Sequence, residues 1–159
     1  MDNALFELAE CLGQSLKAKG YKIATAESCT GGWIAQAITE VPGSSAWFDR
    51  GFVAYSNQAK VDMLGVNPQT LENFGAVSAE TAKEMVAGAI ANSVADWAVA
   101  VTGIAGPDGG SEDKPVGTVY VAWQDKTGFS KVERLQLSGN RHQIRKQTVI
   151  RAIEGSIRD

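Results

Sequence analysis

The stretch Thr25-Ala26-Glu27-Ser28-Cys29-Thr30-Gly31-Gly32 decides how this chain folds. It follows a short apolar run at residues 21–24 and precedes residues 33–41, where apolar side chains recur at helical spacing. This change of period predicts a strand, a tight turn and then a helix. Glycines let another molecule approach the backbone of the turn. The free amides of the new helix should point into that space and favour negative charge there.

Two hydroxyl side chains, Ser28 and Thr30, fall within this turn. A hydroxyl beside a helix start that stabilises anions suits a nucleophile for acyl transfer. Both residue types are also common helix caps, and the turn alone favours that simpler role. Cys29 adjoins them and is a candidate nucleophile itself, although a small packing residue is its more usual role.

The composition is that of an ordinary globular protein. A length of 159 residues predicts one domain, residues 1–159, with a sizeable core. Fifteen basic and eighteen acidic side chains leave a net charge of −3, so no basic surface argues for a nucleic-acid partner. The two cysteines form neither a metal-ligand spacing nor a disulfide framework. With no apolar run of membrane-spanning length and no signal-peptide pattern, we expect a cytoplasmic protein without a membrane partner.

Outside the turn, the hydrophobic pattern alternates between helices and short strands. The predicted strands cover residues 21–24, 47–55, 97–101, 116–123 and 129–137. The predicted helices cover residues 5–16 (with Gly20 as a stop signal), 33–41, 58–64, 68–74 and 78–94, and a last one begins at Ser138 or Asn140. This order predicts an α/β fold, a three-layer α/β/α sandwich around a mixed sheet of about five strands. The final hairpin should supply the antiparallel part.

A second junction of strand and helix contains Tyr55 and Lys60. Ser56-Asn57 is a predicted cap for the helix at residues 58–64. Lys60 falls on the first turn of that helix, where a cation opposes the helix dipole. A solvated surface lysine is the common interpretation. The dipole nevertheless favours loss of the proton, which a general base requires.

A glycine-rich loop at residues 102–110 follows the apolar strand at 97–101. No helix pattern comes after it, so the P-loop and dinucleotide-binding fingerprints do not apply. Its backbone amides are candidates to wrap a ligand such as a phosphate, and a flexible surface loop is an equally good interpretation. We expect this loop to lie beyond the carboxyl ends of the strands, where ligands bind in such sheets.

Basic side chains crowd the start of the last helix, namely Arg141, His142, Arg145 and Lys146. Four basic groups at a helix N-terminus oppose the dipole unless an anion sits there. Arg141 or Arg145 is therefore a candidate phosphate contact, with a solvated basic face as the alternative. His142, the only histidine, receives no role.

Four segments in order, residues 25–32, 48–60, 75–82 and 101–120, resemble the nicotinamide-nucleotide amidase family of the PncC type. The same family forms the C-terminal domain of CinA-like competence/damage-inducible proteins. The resemblance covers nearly the whole chain and lacks the N-terminal molybdopterin-binding-like domain, so we expect the stand-alone form. It implies hydrolysis of nicotinamide mononucleotide to nicotinate mononucleotide and ammonia, in pyridine-nucleotide salvage.

Transferred position by position, the resemblance makes Ser28 the nucleophile, with Tyr55 and Lys60 as activating groups. The other matching positions are expected to line the pocket, and they are Thr30, Ser45, Thr102 and the basic Arg141. An amide is a poor electrophile, so the serine needs a base to activate it. Lysine is the base that remains.

The resulting mechanism has Lys60 take the Ser28 proton, directly or through Tyr55. Backbone amides at Gly31 and Gly32, or at Gly103, would stabilise the oxyanion. No metal or other cofactor is expected, because no cluster of acidic and histidine side chains offers to bind a metal.

Three other interpretations stay open on the sequence alone. The chain is alternatively a non-catalytic nucleotide-binding module linked to competence or DNA damage, an amidase for another small amide, or a cysteine enzyme acting through Cys29. We also expect a homo-oligomer. Trp47, Phe48 and Phe52 are candidates for its interface, and packing in the core explains them equally well.

Overall fold

The computed structural model describes residues 2–158. Its five strands form one sheet in the order β2-β1-β3-β4-β5. The strands are β1 (Ile23–Glu27), β2 (Phe48–Val53), β3 (Trp97–Gly103), β4 (Thr118–Asp125) and β5 (Ser130–Gln136). The helices are α1 (Asn3–Lys19), α2 (Trp33–Thr39), α3 (Asn57–Leu64), α4 (Pro68–Phe74), α5 (Ala79–Ala91) and α6 (Arg141–Glu154), and a short 3-10 helix covers Ser44–Ala46.

The parallel part of the sheet is built from β2, β1 and β3. Glu27, the last residue of β1, pairs with Val53 of β2 and with Val101 of β3. Every residue of β1 is buried, as expected for a parallel strand with helices on both faces. The carboxyl ends of these three strands therefore meet at one edge of the sheet. β4 and β5 complete the sheet as antiparallel strands.

Two apolar cores lie on opposite faces of the sheet. The first packs α1, α2 and α6 on the sheet with large side chains such as Trp97 and Trp123. The second, under α3 and α5, is built mainly from alanines with Met85 and Leu64. A Cβ at Gly88 of α5 would lie 2.0 Å from the Leu64 carbonyl oxygen, so only glycine permits this approach of α5 to the end of α3. This close packing fixes α3 against α5.

The predicted α/β/α architecture with a mixed sheet is confirmed. β1 continues to Glu27 instead of ending near Ala24, because the small side chains at 24–26 are buried within the sheet. α5 ends at Ala91, where Asn92 forms the C-cap, instead of near Val94.

The three aromatic residues considered for a subunit interface pack within the chain. Trp47 belongs to the first core, Phe48 packs against it, and Phe52 packs against the second core. Packing therefore accounts for these side chains.

Within residues 2–158, no helix combines the length and the apolar character needed to cross a lipid bilayer. Over the same range, no three or more His, Cys, Asp or Glu side chains come together in a metal-binding arrangement.

Candidate active site

Ser28 lies at the carboxyl edge of the sheet, directly after β1. Its amide donates to the Val101 carbonyl oxygen at 3.1 Å, and the Ala54 amide donates to the Glu27 carbonyl oxygen at 2.9 Å. The strands on both sides therefore hold the backbone that carries the hydroxyl. The Ser28 side chain is largely buried but lines a surface pocket.

Lys60 reaches Ser28 from the first turn of α3. Its Nζ donates to Ser28 Oγ at 3.0 Å and to the Tyr55 carbonyl oxygen at 2.9 Å. Ser56 caps α3 by accepting a hydrogen bond from the Ala59 amide. Lys60 and Leu64, one helical turn apart, are the two buried residues of α3. The spacing of α3 thus turns the lysine inward together with an apolar anchor.

The Lys60 side chain is only 1% exposed. Burial lowers the pKa of Lys60 below its usual 10.5, and the neighbouring Cys29 acts in the opposite direction. No carboxylate in residues 2–158 forms an ion pair with this lysine. The neutral amine is therefore populated at a lower pH than in an exposed lysine, and it can accept a proton.

Tyr55 contacts the serine and the lysine through its backbone and not through its phenol. Its carbonyl oxygen accepts from Lys60 Nζ and, more weakly, from Ser28 Oγ at 3.4 Å. The side chain is 59% exposed, and its hydroxyl accepts from Arg141 Nη2 at 3.3 Å. The expected proton relay through the Tyr55 hydroxyl has no geometric support, since that hydroxyl contacts the arginine instead.

Cys29 also lines the pocket. Burial raises the pKa of the Cys29 thiol to about 12. Because the thiolate is the reactive form of cysteine, this environment disfavours Cys29 as a nucleophile.

The pocket in front of Ser28 has a volume of about 290 Å³. The structure brings six of the sequence-predicted site residues to its wall, namely Ser28, Tyr55, Lys60, Thr102, Gly103 and Arg141. Gly106, Asp108 and Gly109 of the glycine-rich loop form another wall. Asn57 lines the same pocket and was not anticipated. It follows a strand end in the sequence, which is the signal that marks it.

Arg141 spans the mouth of this pocket from the start of α6. Its Nη1 donates to the Gly106 carbonyl oxygen at 2.8 Å, while Nη2 reaches the Tyr55 hydroxyl. Asn140 caps α6 and forms a capping box with Gln143, which sets the direction in which the first turn projects. Arg141 is thus the cationic side chain at the open side of the pocket.

Glu27 is a contributor to the site that the sequence did not reveal. Its carboxylate is 1% exposed and accepts from Thr30 Oγ1 at 2.5 Å, the Ile34 amide at 2.9 Å and the Ala35 amide at 3.0 Å. The amides at the start of α2 therefore bind a side chain of the protein. This corrects the expectation that they point at a ligand. An acid immediately before Ser28 and just ahead of a helix start was the available signal.

Four other predicted site residues lie on the far side of the turn. The Thr30 hydroxyl is fully buried against Glu27, and Gly31 and Gly32 line a separate shallow depression beside Trp33. The Gly31 amide donates to the Ser28 carbonyl oxygen at 3.1 Å, so it is not available to an oxyanion. Arg145 lines that depression too, and its guanidinium donates to the carbonyl oxygens of Cys29 and Thr30.

Ser45 is not brought to the pocket. It sits in the 3-10 helix that precedes β2, next to the paired residues Ile23 and Phe48 at the opposite end of the parallel strands. Within one copy of the chain, this position corrects the expectation that Ser45 lines the pocket with Ser28.

Comparison with known proteins gives a consistent result. Residues 5–158 match the family described as the CinA C-terminal domain. The nicotinamide-nucleotide amidohydrolase PncC of Escherichia coli K12 is 52% identical over 96% of this chain and 93% of its own length. A PncC of the same description from Pseudomonas putida is 54% identical over 93% of this chain and 92% of its own length. The crystal structure of a competence/damage inducible protein from Agrobacterium tumefaciens, 49% identical, superposes with a TM-score of 0.95 over 98% of this chain and 94% of its own.

Proposed function

Because the chain belongs to the family of CinA C-terminal domains, we propose that it hydrolyses the carboxamide of nicotinamide mononucleotide to nicotinate mononucleotide and ammonia. Two relatives that carry the name nicotinamide-nucleotide amidohydrolase match it over nearly their full lengths. The observation that carries the proposal is the buried Lys60, which has no carboxylate partner among residues 2–158 and whose Nζ lies 3.0 Å from Ser28 Oγ. An unpaired buried lysine costs stability, which is the mark of a functional site.

The first half of the reaction acylates Ser28. Neutral Lys60 accepts the proton of Ser28 Oγ while this oxygen attacks the carboxamide carbon. The tetrahedral intermediate collapses as Lys60 returns the proton to the departing nitrogen, which leaves as ammonia. A nicotinoyl ester on Ser28 remains. The Tyr55 carbonyl oxygen accepts one N–H of Lys60 and so directs the lone pair of the amine toward the serine.

The second half hydrolyses this ester. Water gives a proton to Lys60 as its oxygen attacks the ester carbon, and the proton then returns to Ser28 Oγ. The negative oxygen of both intermediates needs a donor, and the amide of the residue after a nucleophile commonly serves. The Cys29 amide lies in the turn after β1, and it donates to no backbone carbonyl oxygen of residues 2–158. We assign it the oxyanion contact.

The nucleotide part of the substrate extends toward the open side of the pocket. Arg141 is the cation there, and the wall beside it is formed by residues of the glycine-rich loop, namely 103–106, Asp108 and Gly109. A charge-assisted contact of Arg141 with the phosphate would favour binding of the nucleotide over the riboside, which lacks the phosphate. We retain a homo-oligomeric, cytoplasmic enzyme without nucleic acid as a prediction.

The deciding experiment measures ammonia and nicotinate mononucleotide released from a panel of pyridine nucleotides. Ser28→Ala should remain folded and lose more than about a thousandfold in kcat. Cys29→Ala should keep most of it. Ser156→Ala is a matched control, because Ser156 is also buried but lies just after α6 and donates to the Ala152 carbonyl oxygen in the last turn of that helix.

A folded wild-type protein that binds the nucleotide without releasing ammonia would favour the non-catalytic binding module. Release from another amide only would favour a different amidase. Full activity in Ser28→Ala would refute the nucleophile.

A further inference from the structure

Two side chains of opposite charge, Glu27 and Arg145, hold the turn that carries Ser28. Neither is one of the reacting groups. On the inner side, the buried Glu27 carboxylate binds the Thr30 hydroxyl and the amides of Ile34 and Ala35. The turn and the first turn of α2 are thereby tied to the end of β1. A buried carboxylate satisfied by three donors, two of them at a helix N-terminus, is a rigid support.

On the outer side, Arg145 reaches across from α6. Its Nε donates to the Cys29 carbonyl oxygen at 3.0 Å, and its Nη2 donates to the Thr30 carbonyl oxygen at 3.1 Å. The guanidinium also lies over the Trp33 ring, 5.6 Å from its centroid. A planar group held by two hydrogen bonds and an aromatic face has one orientation, which lysine cannot reproduce.

These contacts fix the direction of the peptide groups after Ser28. In a trans peptide the carbonyl oxygen and the following N–H point in opposite directions. Because the Cys29 carbonyl faces Arg145, the Thr30 N–H faces away from it. The Thr30 carbonyl is held in the same way, and the Gly31 N–H on its far side donates to the Ser28 carbonyl oxygen at 3.1 Å. The backbone immediately after Ser28 therefore has little freedom to rotate.

We propose that Glu27 and Arg145 are positioning residues that hold Ser28 Oγ at its distance from Lys60 Nζ. The inference rests on the proposed role of Ser28 as nucleophile. It gives Arg145 a function in the chemical step and removes it from the set of candidate phosphate contacts. Neither residue lines the pocket in which Ser28 lies.

The test separates kcat from KM for nicotinamide mononucleotide. A misplaced nucleophile loses rate without losing ground-state affinity, so Arg145→Ala should lower kcat about ten- to a hundredfold with KM changed less than about threefold. Arg145→Lys should recover only part of the loss. Glu27→Gln should act in the same direction, and the Arg145 variants keep the test valid if Glu27→Gln does not fold. Millimolar guanidinium chloride should restore part of the kcat of Arg145→Ala.

Arg151→Ala is the matched control, because this α6 arginine binds Glu133 and not the turn. It should leave kcat and KM unchanged. A raised KM with unchanged kcat in Arg145→Ala would assign Arg145 to the substrate and overturn the proposal, and so would unchanged kinetics.

A second measurement does not depend on the substrate. The rate at which a small sulfonyl fluoride labels Ser28 should fall in Arg145→Ala and vanish in Ser28→Ala. If the wild type releases no ammonia from the mononucleotide but this pattern holds, the substrate is wrong and the positioning role stands. Equal labelling of wild type and Arg145→Ala would overturn the positioning role.

Discussion

The two ends of the sheet treat the same residue type in opposite ways. At the carboxyl end of β1, Lys60 is buried, has no carboxylate partner in the described chain, and its pKa is lowered mainly by burial. At the other end, Lys126 follows β4, is exposed and is paired with Asp96, whose hydrogen bond raises the pKa of Lys126. One environment favours the neutral amine, and the other favours the ammonium ion.

Arg151 on α6 is likewise paired with a carboxylate. Arg151 makes a bidentate contact with Glu133, and its hydrogen bonds lower the pKa of that carboxyl to about 2. Arg151 also lies over the Trp123 ring. Charges that are paired and stacked contribute to stability, whereas the unpaired buried lysine is available for chemistry. Partner and burial, more than residue type, therefore separate the two ends.

The largest effect should come from removing the base while keeping the charge. Lys60→Arg places a guanidinium, which stays protonated, beside Ser28, so kcat should fall about a hundred- to ten-thousandfold. Lys126→Arg should change kcat less than about twofold, because a charged side chain is all that its ion pair needs. Steady-state ammonia release measures both. An active Lys60→Arg enzyme would show that Lys60 does not act as a general base.

Substitution of Arg141 tests whether the pocket at the carboxyl end of β1 also binds the phosphate of the nucleotide. Arg141→Ala should raise KM for the mononucleotide about ten- to a hundredfold with kcat nearly unchanged, from the loss of about 1.5–3 kcal/mol of charge-assisted contact. Hydrolysis of the phosphate-free riboside, which is expected to be poor, should hardly change. Equal losses on both substrates would mean that Arg141 does not contact the phosphate.

The pH dependence of kcat/KM should report the titration of Lys60. Since activity requires the neutral amine, kcat/KM should fall about tenfold per pH unit below the pKa of Lys60 and level off above it. Burial places that pKa below 10.5, so the plateau should begin at a lower pH than for an exposed lysine. Lys126→Met should show the same profile. If the falling part of the kcat/KM profile shifted in Lys126→Met, the titrating group would be Lys126 and not Lys60.

The smallest effect concerns stability. A lowered lysine pKa means that the folded state binds fewer protons than the unfolded chain as pH approaches 10.5 from below. Burial of Lys60 therefore costs stability at neutral pH, and the cost disappears as pH rises to 10.5. Lys60→Met should raise the free energy of unfolding at pH 7 by about 0.5–2 kcal/mol while abolishing activity. Lys126→Met, which loses an ion pair, should not stabilise the protein. Urea titrations at pH 7 and pH 10 check both signs.

The fold was predictable because its signals are local. Caps such as Ser56 and Ser78, the stop at Gly20 and the continuous apolar run of β3 all place element boundaries without reference to the rest of the chain. The order of strands and helices then selects a layered sheet with few alternatives. The end of β1 was misjudged because small buried residues carry a weak signal.

Most of the predicted residues that do meet in the pocket lie near strand ends, and Arg141, at the start of α6, is the exception. Ser28, Tyr55, Lys60 and Thr102 follow or close strands and meet in one pocket. Thr30, Gly31 and Arg145 were placed by their chemistry alone, and they lie on the other side of the turn. Which side a turn residue faces depends on long-range contacts such as Glu27 to Ala35 and Arg145 to Cys29. Spacing along the sequence does not contain those contacts.

Lys60 Nζ donates to the carbonyl oxygen of Tyr55, so its partner in this contact is a main-chain atom. Every amino acid supplies the same oxygen, so a substitution of Tyr55 removes the hydroxyl that contacts Arg141 but keeps the group that orients the base. Alanine scanning does not detect such a partner, because a side-chain substitution leaves the carbonyl oxygen in place. A backbone edit, with an ester replacing the amide between Tyr55 and Ser56, weakens the acceptor and leaves each side chain in place.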